Sequence, residues 1–206
     1  MEKTNSNIST LAFDNNSFVN AIGTKDIINV FEDKEFNNSY PKPVELVKKI
    51  IQYSNWNSSN SIILDFFSGS ATTAEAVLKY NVENNTQHRF ILVQVPERCN
   101  EKSKYLNICE LGEERIRKAG KKIKEETNAN IDYGFRVYKI DSSNMKDVYY
   151  KPNDLEQAQL NLFETNVKDD RTNEDLLTQI ILDLGLTLDL KIEEKNILNN
   201  KVYYVA

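Results

Sequence analysis

Three segments spread over roughly thirty residues, the length of a strand–helix–strand unit, constrain this chain more than any other feature. "SIILDFF" (Ser61–Phe67) is a short apolar run, and "RFILVQV" (Arg89–Val95) is a second one. Both have the length and composition of a buried strand. Between them, "TAEAVLKYNV" sets Ala74, Val77 and Leu78 on one helical face, and the polar break "ENNTQH" follows. Strands joined through a helix in this way are parallel, and the crossover is right-handed. Sheets of this kind are covered on both faces. The predicted fold class is α/β.

The rest of the chain is read around this unit. Residues 1–38 are rich in Asn, Ser and Asp and read as an irregular lead-in with a short helix from Thr24. "SYPKPVELVKKIIQYS" is a helix entry, stiffened by Pro41 and Pro43, with Val44, Leu46, Val47, Ile50 and Ile51 at helical spacing. "NICELGEERIRKAGKKIKEE" predicts a long helix, interrupted or bent near Gly112. "GFRVYKI" alternates and reads as a strand. Two acidic helices are predicted beyond it: "DLEQAQLNLF", and "NEDLLTQIILDLG", capped near Thr172 and stopped by Gly185. The chain closes with a predicted hairpin of "LTLDLKIE" and "KVYYVA" around Asn199 and Asn200.

Composition removes several function classes. With one histidine, His88, neither a His-built metal site nor a Ser-His-Asp triad is expected. Cys99 and Cys109 lack CxxC spacing and read as reduced thiols, which with the absence of a targeting signal or apolar span points to a cytoplasmic location and no membrane. The net charge of −5 argues against a protein that simply coats DNA. That charge is uneven: residues 102–124 are basic, whereas residues 154–194 are acidic. The basic stretch Arg115–Lys124 reads as a solvated helix face. Cys99 reads as structural.

The corner "ILDFFSGSATTAEAV" (Ile63–Val77) carries the binding chemistry. Asp65 closes a strand at the carboxyl edge of the sheet, where open α/β sheets hold ligands. Gly69 permits a close backbone approach, and Thr72 and Thr73 stand where a helix begins, offering hydroxyls and free amides to an anion. A P-loop would need GxxxxGK, and a dinucleotide fingerprint would need GxGxxG; neither is present. S-adenosylmethionine fits the residue types better, since its ammonium and sulfonium suit an acid and its carboxylate suits a helix start. A plain strand-turn-helix corner with Thr72 as a helix cap remains the alternative. Of the two phenylalanines, alternation sends Phe66 to the core and Phe67 toward the ligand.

Taken together, "YPKPVEL", "ILDFFSGSATTAEAV", "RFILVQVPE" and "RIRKAGKKI" resemble the C-terminal half of β-class DNA amino-methyltransferases. Within that class the chain is most similar to the modification (Mod) subunit of Type III restriction–modification systems, a resemblance that runs from about Gly23 onward and extends to "GTKDI", "GFRVYKIDSSNMKDVYY" and "DRTNEDLLTQIILDLGL". It implies a partial methyltransferase-like (Rossmann-like) sheet with flanking helices, plus a small α+β C-terminal tail. The implied organisation is a lead-in at 1–38, the S-adenosylmethionine-binding part of a methyltransferase domain at 39–140, and an interaction region at 141–206.

The same resemblance implies transfer of a methyl group from S-adenosylmethionine to a flipped-out adenine in DNA. Asp65, Phe67, Gly69 and Thr72 would line the methionine end of the cofactor, and Lys42, Pro43 and Glu45 would cover it from the other side. Gln94, where many relatives carry Glu, and Glu97 are the two candidates for the ribose. The family's DPPY-like catalytic tetrapeptide is absent from the sequence, so no catalytic residue is assigned. In the family's order that motif and the target-recognition region precede everything found here, so the chain is expected to be inactive alone. The implied partners are DNA in the full-length context, an N-terminal methyltransferase half, a second Mod copy, or a restriction subunit. Two rivals are a non-catalytic assembly or complementation module, and a nicotinamide-dependent enzyme.

Overall fold

A computed structural model of the chain describes residues 18–32, 41–54, 58–101, 103–146 and 166–206. The chain divides into two compact units, residues 1–135 and 136–206. In the first unit the order is α1 (Asn20–Phe31), α2 (Val44–Ser54), β1 (Ile62–Asp65), α3 (Thr72–Asn84), β2 (Arg89–Leu92) and α4 (Ile108–Thr127).

The predicted crossover is present. β1 and β2 are parallel, in register from Ile62 opposite Arg89 to Asp65 opposite Leu92. Each strand is shorter than its apolar run, so Phe66 and Phe67 fall into the turn beyond β1. A buried polar clamp sets where β2 begins. The Asn81 side chain donates to the His88 carbonyl and accepts from the His88 amide, both at 2.9 Å. His88 Nδ1 in turn accepts from the Ser61 amide, 2.9 Å away, which ties the approach to β2 to the approach to β1.

The helices lie on one face of this pair. α3 is buried nearly all round, which its small Ala and Thr side chains allow, and it packs between α2 and α4. Ile63 and Phe90 point into a cluster with Val44, Ile51, Ala76, Val77 and Tyr80. Phe90, Leu92 and Phe135 pack on Ala71, Ala74 and Ile116. The predicted short helix is present as α1, beginning four residues before Thr24, and its Ile27, Val30 and Phe31 form a core cluster with Leu111 and Ala119 of α4. It lies so close to the Pro41 carbonyl that Gly23 has no room for a Cβ, and the Asp26 carboxylate accepts from the Val44 amide at 2.9 Å, capping α2.

Three expectations for this unit are corrected. Among the described residues the sheet is covered on one face only: the alternate side chains Ile62, Leu64, Ile91 and Val93 are exposed, Leu64 at 59%. Phe66 is exposed rather than in the core, because the chain leaves the strand before alternation can bury it. α4 runs uninterrupted through Gly112, where the missing side chain makes room for the Ser68–Thr72 turn: a Cβ there would stand 3.3 Å from Ala71 Cβ.

In the second unit, α5 (Asn173–Asp183) starts with a capping box: Thr172 accepts from the Asp175 amide, and Asp175 accepts from the Thr172 amide. It stops before Gly185, whose φ is +66°. β3 (Ile192–Ile197) and β4 (Asn200–Val205) form an antiparallel hairpin. The turn is Leu198–Asn199, both with positive φ, as a two-residue primed turn requires. The first hairpin strand thus starts later than predicted. Leu186–Leu190 instead turns, and the Arg136 guanidinium donates to the Leu188 and Leu190 carbonyls. "GFRVYKI" forms no strand, since alternation reports two faces but supplies no neighbouring backbone to pair with. The predicted helix "DLEQAQLNLF" lies outside the described residues. Among the described residues, no helix is long and apolar enough to cross a membrane.

His88 gives the first unit a pH dependence. It is 4% exposed, and burial lowers its pKa below the ordinary 6.5. A proton on Nδ1 would also displace the Ser61 amide. Because the native value is lowered, its contribution is complete above 6.5 and is lost as the pH falls through the native value. His88→Asn keeps a side-chain acceptor without the titration. Urea midpoints taken between about pH 7.5 and 5 should fall more steeply for the wild type than for this variant.

Candidate functional site

The corner between β1 and α3 is built from three pieces: the strand end at Asp65, the Ser68–Thr72 turn, and the end of β2. Beyond the paired residues the two strands stay stitched, the Val93 amide donating to the Asp65 carbonyl (2.9 Å) and the Ser68 amide to the Val93 carbonyl (3.3 Å). Gln94 continues the seam with its side chain, Oε1 accepting from the Gly69 amide at 2.8 Å. The turn closes with Ala71 N–H donating to the Ser68 carbonyl, 2.8 Å.

Two residues of the turn are left-handed, Gly69 with φ +52° and Ala71 with φ +61°. For Ala71 that conformation costs about 1–2 kcal/mol, so something must impose it. Arg115 of α4 bonds to the residues on either side of Ala71. Its side chain is completely buried (0% exposed). Nη1 donates to Thr72 Oγ1 at 2.7 Å, to Ser70 Oγ at 3.1 Å and to the Ser70 carbonyl at 3.3 Å. Nε donates to Glu75 Oε2 at 2.9 Å, with Nη2 equally close to the same oxygen. The buried Glu75 carboxylate also takes Lys79 at 2.7 Å.

Asp65 faces the same corner. Oδ2 accepts from Thr73 Oγ1 at 2.5 Å, and Oδ1 from the Phe67 amide at 3.2 Å. A carboxylate has about four lone-pair sites, so two remain for a cationic partner. Thr72 is the first residue of α3 and not its cap; Ala71 occupies the cap position and brings no side-chain acceptor. The Thr72 and Thr73 hydroxyls are engaged by Arg115 and Asp65, and no side chain caps the helix start. Above Gly69 there is open space: a Cβ would meet nothing within 4 Å. Phe67 is 82% exposed, its ring 5.2 Å from that of Phe66.

Asp65, Gly69, Thr72 and Gln94 are therefore joined in one hydrogen-bonded corner, with Phe67 at its rim. Lys42, Pro43 and Glu45 stand at the start of α2. Pro43 is buried, Lys42 and Glu45 are exposed, and the Glu45 carboxylate is held by Lys48 at 2.7 Å. Glu97 is exposed, on the segment after β2, its carbonyl accepting from the Ile108 amide (2.9 Å).

The residues missed in the sequence are Arg115, Glu75 and Ser70. Arg115 is a correction, since the rest of the basic stretch is a partly or wholly solvated face and Arg115 is core. A signal was present: Leu111, Arg115, Ala119 and Ile123 recur every fourth residue and are all buried, so Arg115 sits in the apolar stripe of its own helix.

Comparison with known proteins gives the family and its relatives. Residues 19–121, half of the chain, match the family described as DNA methylase. The StyLTI Mod subunit, a Type III restriction-modification enzyme of Salmonella typhimurium strain LT2, is 37% identical over 127 residues, 59% of this chain and 19% of that protein. The EcoP15I Mod subunit of Escherichia coli is 33% identical over 124 residues, 58% of this chain and 18% of its own length. The EcoPI Mod subunit of Escherichia phage P1 is 32% identical over 119 residues, 55% and 18%. The match spans under a fifth of the length of these relatives.

Gly69 offers a direct test of the turn. In Gly69→Ala the new methyl has space, so only the left-handed backbone is penalised. Stability to urea should fall by about 1–2 kcal/mol. A neutral or stabilising effect would mean that the turn does not hold Gly69 in the left-handed region.

Proposed function

Because this chain belongs to the DNA methylase family, we propose that it supplies the S-adenosylmethionine-binding part of a site-specific DNA adenine methyltransferase of a Type III restriction–modification system. The observation that carries the reading is the corner itself, where a carboxylate with free lone pairs, open space above a left-handed glycine, and an uncapped helix start meet. These suit the ammonium and the carboxylate of one amino acid, and such a pair of groups is what the methionine end of the cofactor presents.

In this reading Asp65 takes the ammonium, the first-turn amides of α3 take the carboxylate, and Gly69 lets the ligand lie against the backbone. Thr72 acts through its backbone, since its hydroxyl is engaged by Arg115. Phe67 closes over the ligand from the rim. Lys42, Pro43 and Glu45 cover the same end from the start of α2. Gln94 is committed to the Gly69 amide, so the exposed Glu97 is the better placed of the two to accept from the ribose hydroxyls. When bound, S-adenosylmethionine supplies an electrophilic methyl group on its sulfonium. The chain contains no DPPY-like tetrapeptide, so its residues are assigned binding and positioning of the cofactor and no proton transfer at the adenine. DNA, an N-terminal methyltransferase half, a second Mod copy and a restriction subunit are the partners this role implies.

One observation favours a second reading, an assembly or complementation module. The uncovered apolar face of the parallel strand pair, Ile62, Leu64, Ile91 and Val93, is a surface that such sheets bury. Calorimetric titration separates the two. Saturable binding of S-adenosylmethionine, no binding of NAD, and a loss of at least about tenfold in affinity on Asp65→Ala are expected for a cofactor corner. Silence from the wild type would leave the assembly reading, and binding of NAD instead would overturn both.

A further inference from the structure

We infer that Arg115 is the positioning residue of this corner, the side chain that sets the Ser68–Thr72 backbone in the conformation to which the cofactor binds. The inference rests on the cofactor reading of the corner and goes beyond it, because Arg115 belongs to α4 and lies behind the turn, completely buried. Its acceptors single it out from an ordinary core ion pair. One arm of the guanidinium holds Glu75 inside α3, while the other holds Ser70 and Thr72, the residues on either side of the left-handed Ala71. A planar fork with donors on both edges can satisfy the helix and the turn at once; a lysine ammonium, a point donor, cannot.

The rest of α4 is shaped to the same purpose. Gly112, one helical turn before Arg115, has its Cα opposite Ala71, and a Cβ there would come within 3.3 Å of Ala71 Cβ and 3.5 Å of the Gly69 carbonyl. α4 therefore meets the turn with bare backbone at one level and a guanidinium at the next. Ala71 brings no side-chain cap to α3, and Gly69 leans on Gln94 through one bond. Arg115 is the charged group that reaches the middle of the turn.

The test uses the full chain with Arg115→Lys and Ser70→Ala. Ser70→Ala removes one acceptor and leaves the Arg115–Glu75 pair intact, so it decides the question if the lysine variant fails to fold. Two readouts are taken: affinity for S-adenosylmethionine by calorimetry, and amide hydrogen exchange in the ligand-free protein. Arg115→Lys is expected to weaken binding at least about tenfold, and Ser70→Ala about threefold, in line with the loss of charge-assisted hydrogen bonds. Exchange of the Gly69 and Ala71 amides should accelerate, while that of the Val93 amide, bonded to the Asp65 carbonyl in the strand ladder, stays as in the wild type. Affinity within twofold of wild type in the folded variants, or Val93 losing protection together with the turn, overturns the positioning role and leaves Arg115 a plain core residue. A wild type that binds no S-adenosylmethionine overturns the cofactor reading itself, and this inference with it.

Discussion

The buried ion pair between Arg115 and Glu75 is the interaction on which the first unit depends. Two charges withdrawn from water are tolerated only when each finds partners, and here every partner is a structural joint. Glu75 belongs to α3, Arg115 to α4, and Ser70 and Thr72 to the turn that enters α3. Taking away Glu75 would strand Arg115 in the core without a counter-charge, at a cost of about 3–5 kcal/mol, whereas Glu75 keeps Lys79 as a second partner. Apolar packing alone would allow α3 and α4 to slide, since the packing of Ala74 on Ile116 has little directionality. The guanidinium sets their register and, in the same geometry, places the left-handed turn.

That arrangement connects stability to function. A left-handed alanine is a strained element, and strain persists where the surroundings over-determine it. Around Ala71 they do: Arg115 from behind, Gly112 beneath, and the seam from β2 through Gln94 on the other side. What remains open is the space above Gly69. A preorganised corner of this kind loses little conformational entropy when a ligand arrives. The sheet beside it is less complete. Its inner face is packed under α2, α3 and α4, whereas its outer face shows an apolar row to solvent. One unit thus combines a hydrogen-bonded corner with an exposed apolar sheet face.

How much of this was legible in the sequence follows from the range of each interaction. The crossover, the capping box at Thr172 and the stop at Gly185 were readable because each is written in residues close together in the chain. The strand end at Asp65 and the turn at Gly69 were readable for the same reason, standing four residues apart. Arg115 was misread because its partners are forty or more residues away; beside Lys118, Lys121 and Lys122 it looked like part of a solvated face. Gly112 was misread as a bend, when the missing side chain answers to Ala71 on another element. "GFRVYKI" was misread because alternation carries no information about whether a neighbouring strand exists.

By itself, then, the sequence determined the crossover unit and the residue types at its corner. It placed an acid, a glycine and a helix start within a few residues, and its motifs pointed to the DNA methylase family to which half the chain is matched. The tertiary structure decided what those residues are free to do. It engaged the Thr72 hydroxyl with Arg115 and the Gln94 side chain with Gly69, and it exposed both Phe66 and Phe67. The division has one physical cause. Backbone preference and local hydrogen bonding act over a few residues and leave their mark in adjacent letters, whereas the burial of a charge is settled by whichever distant groups the packed chain brings to meet it.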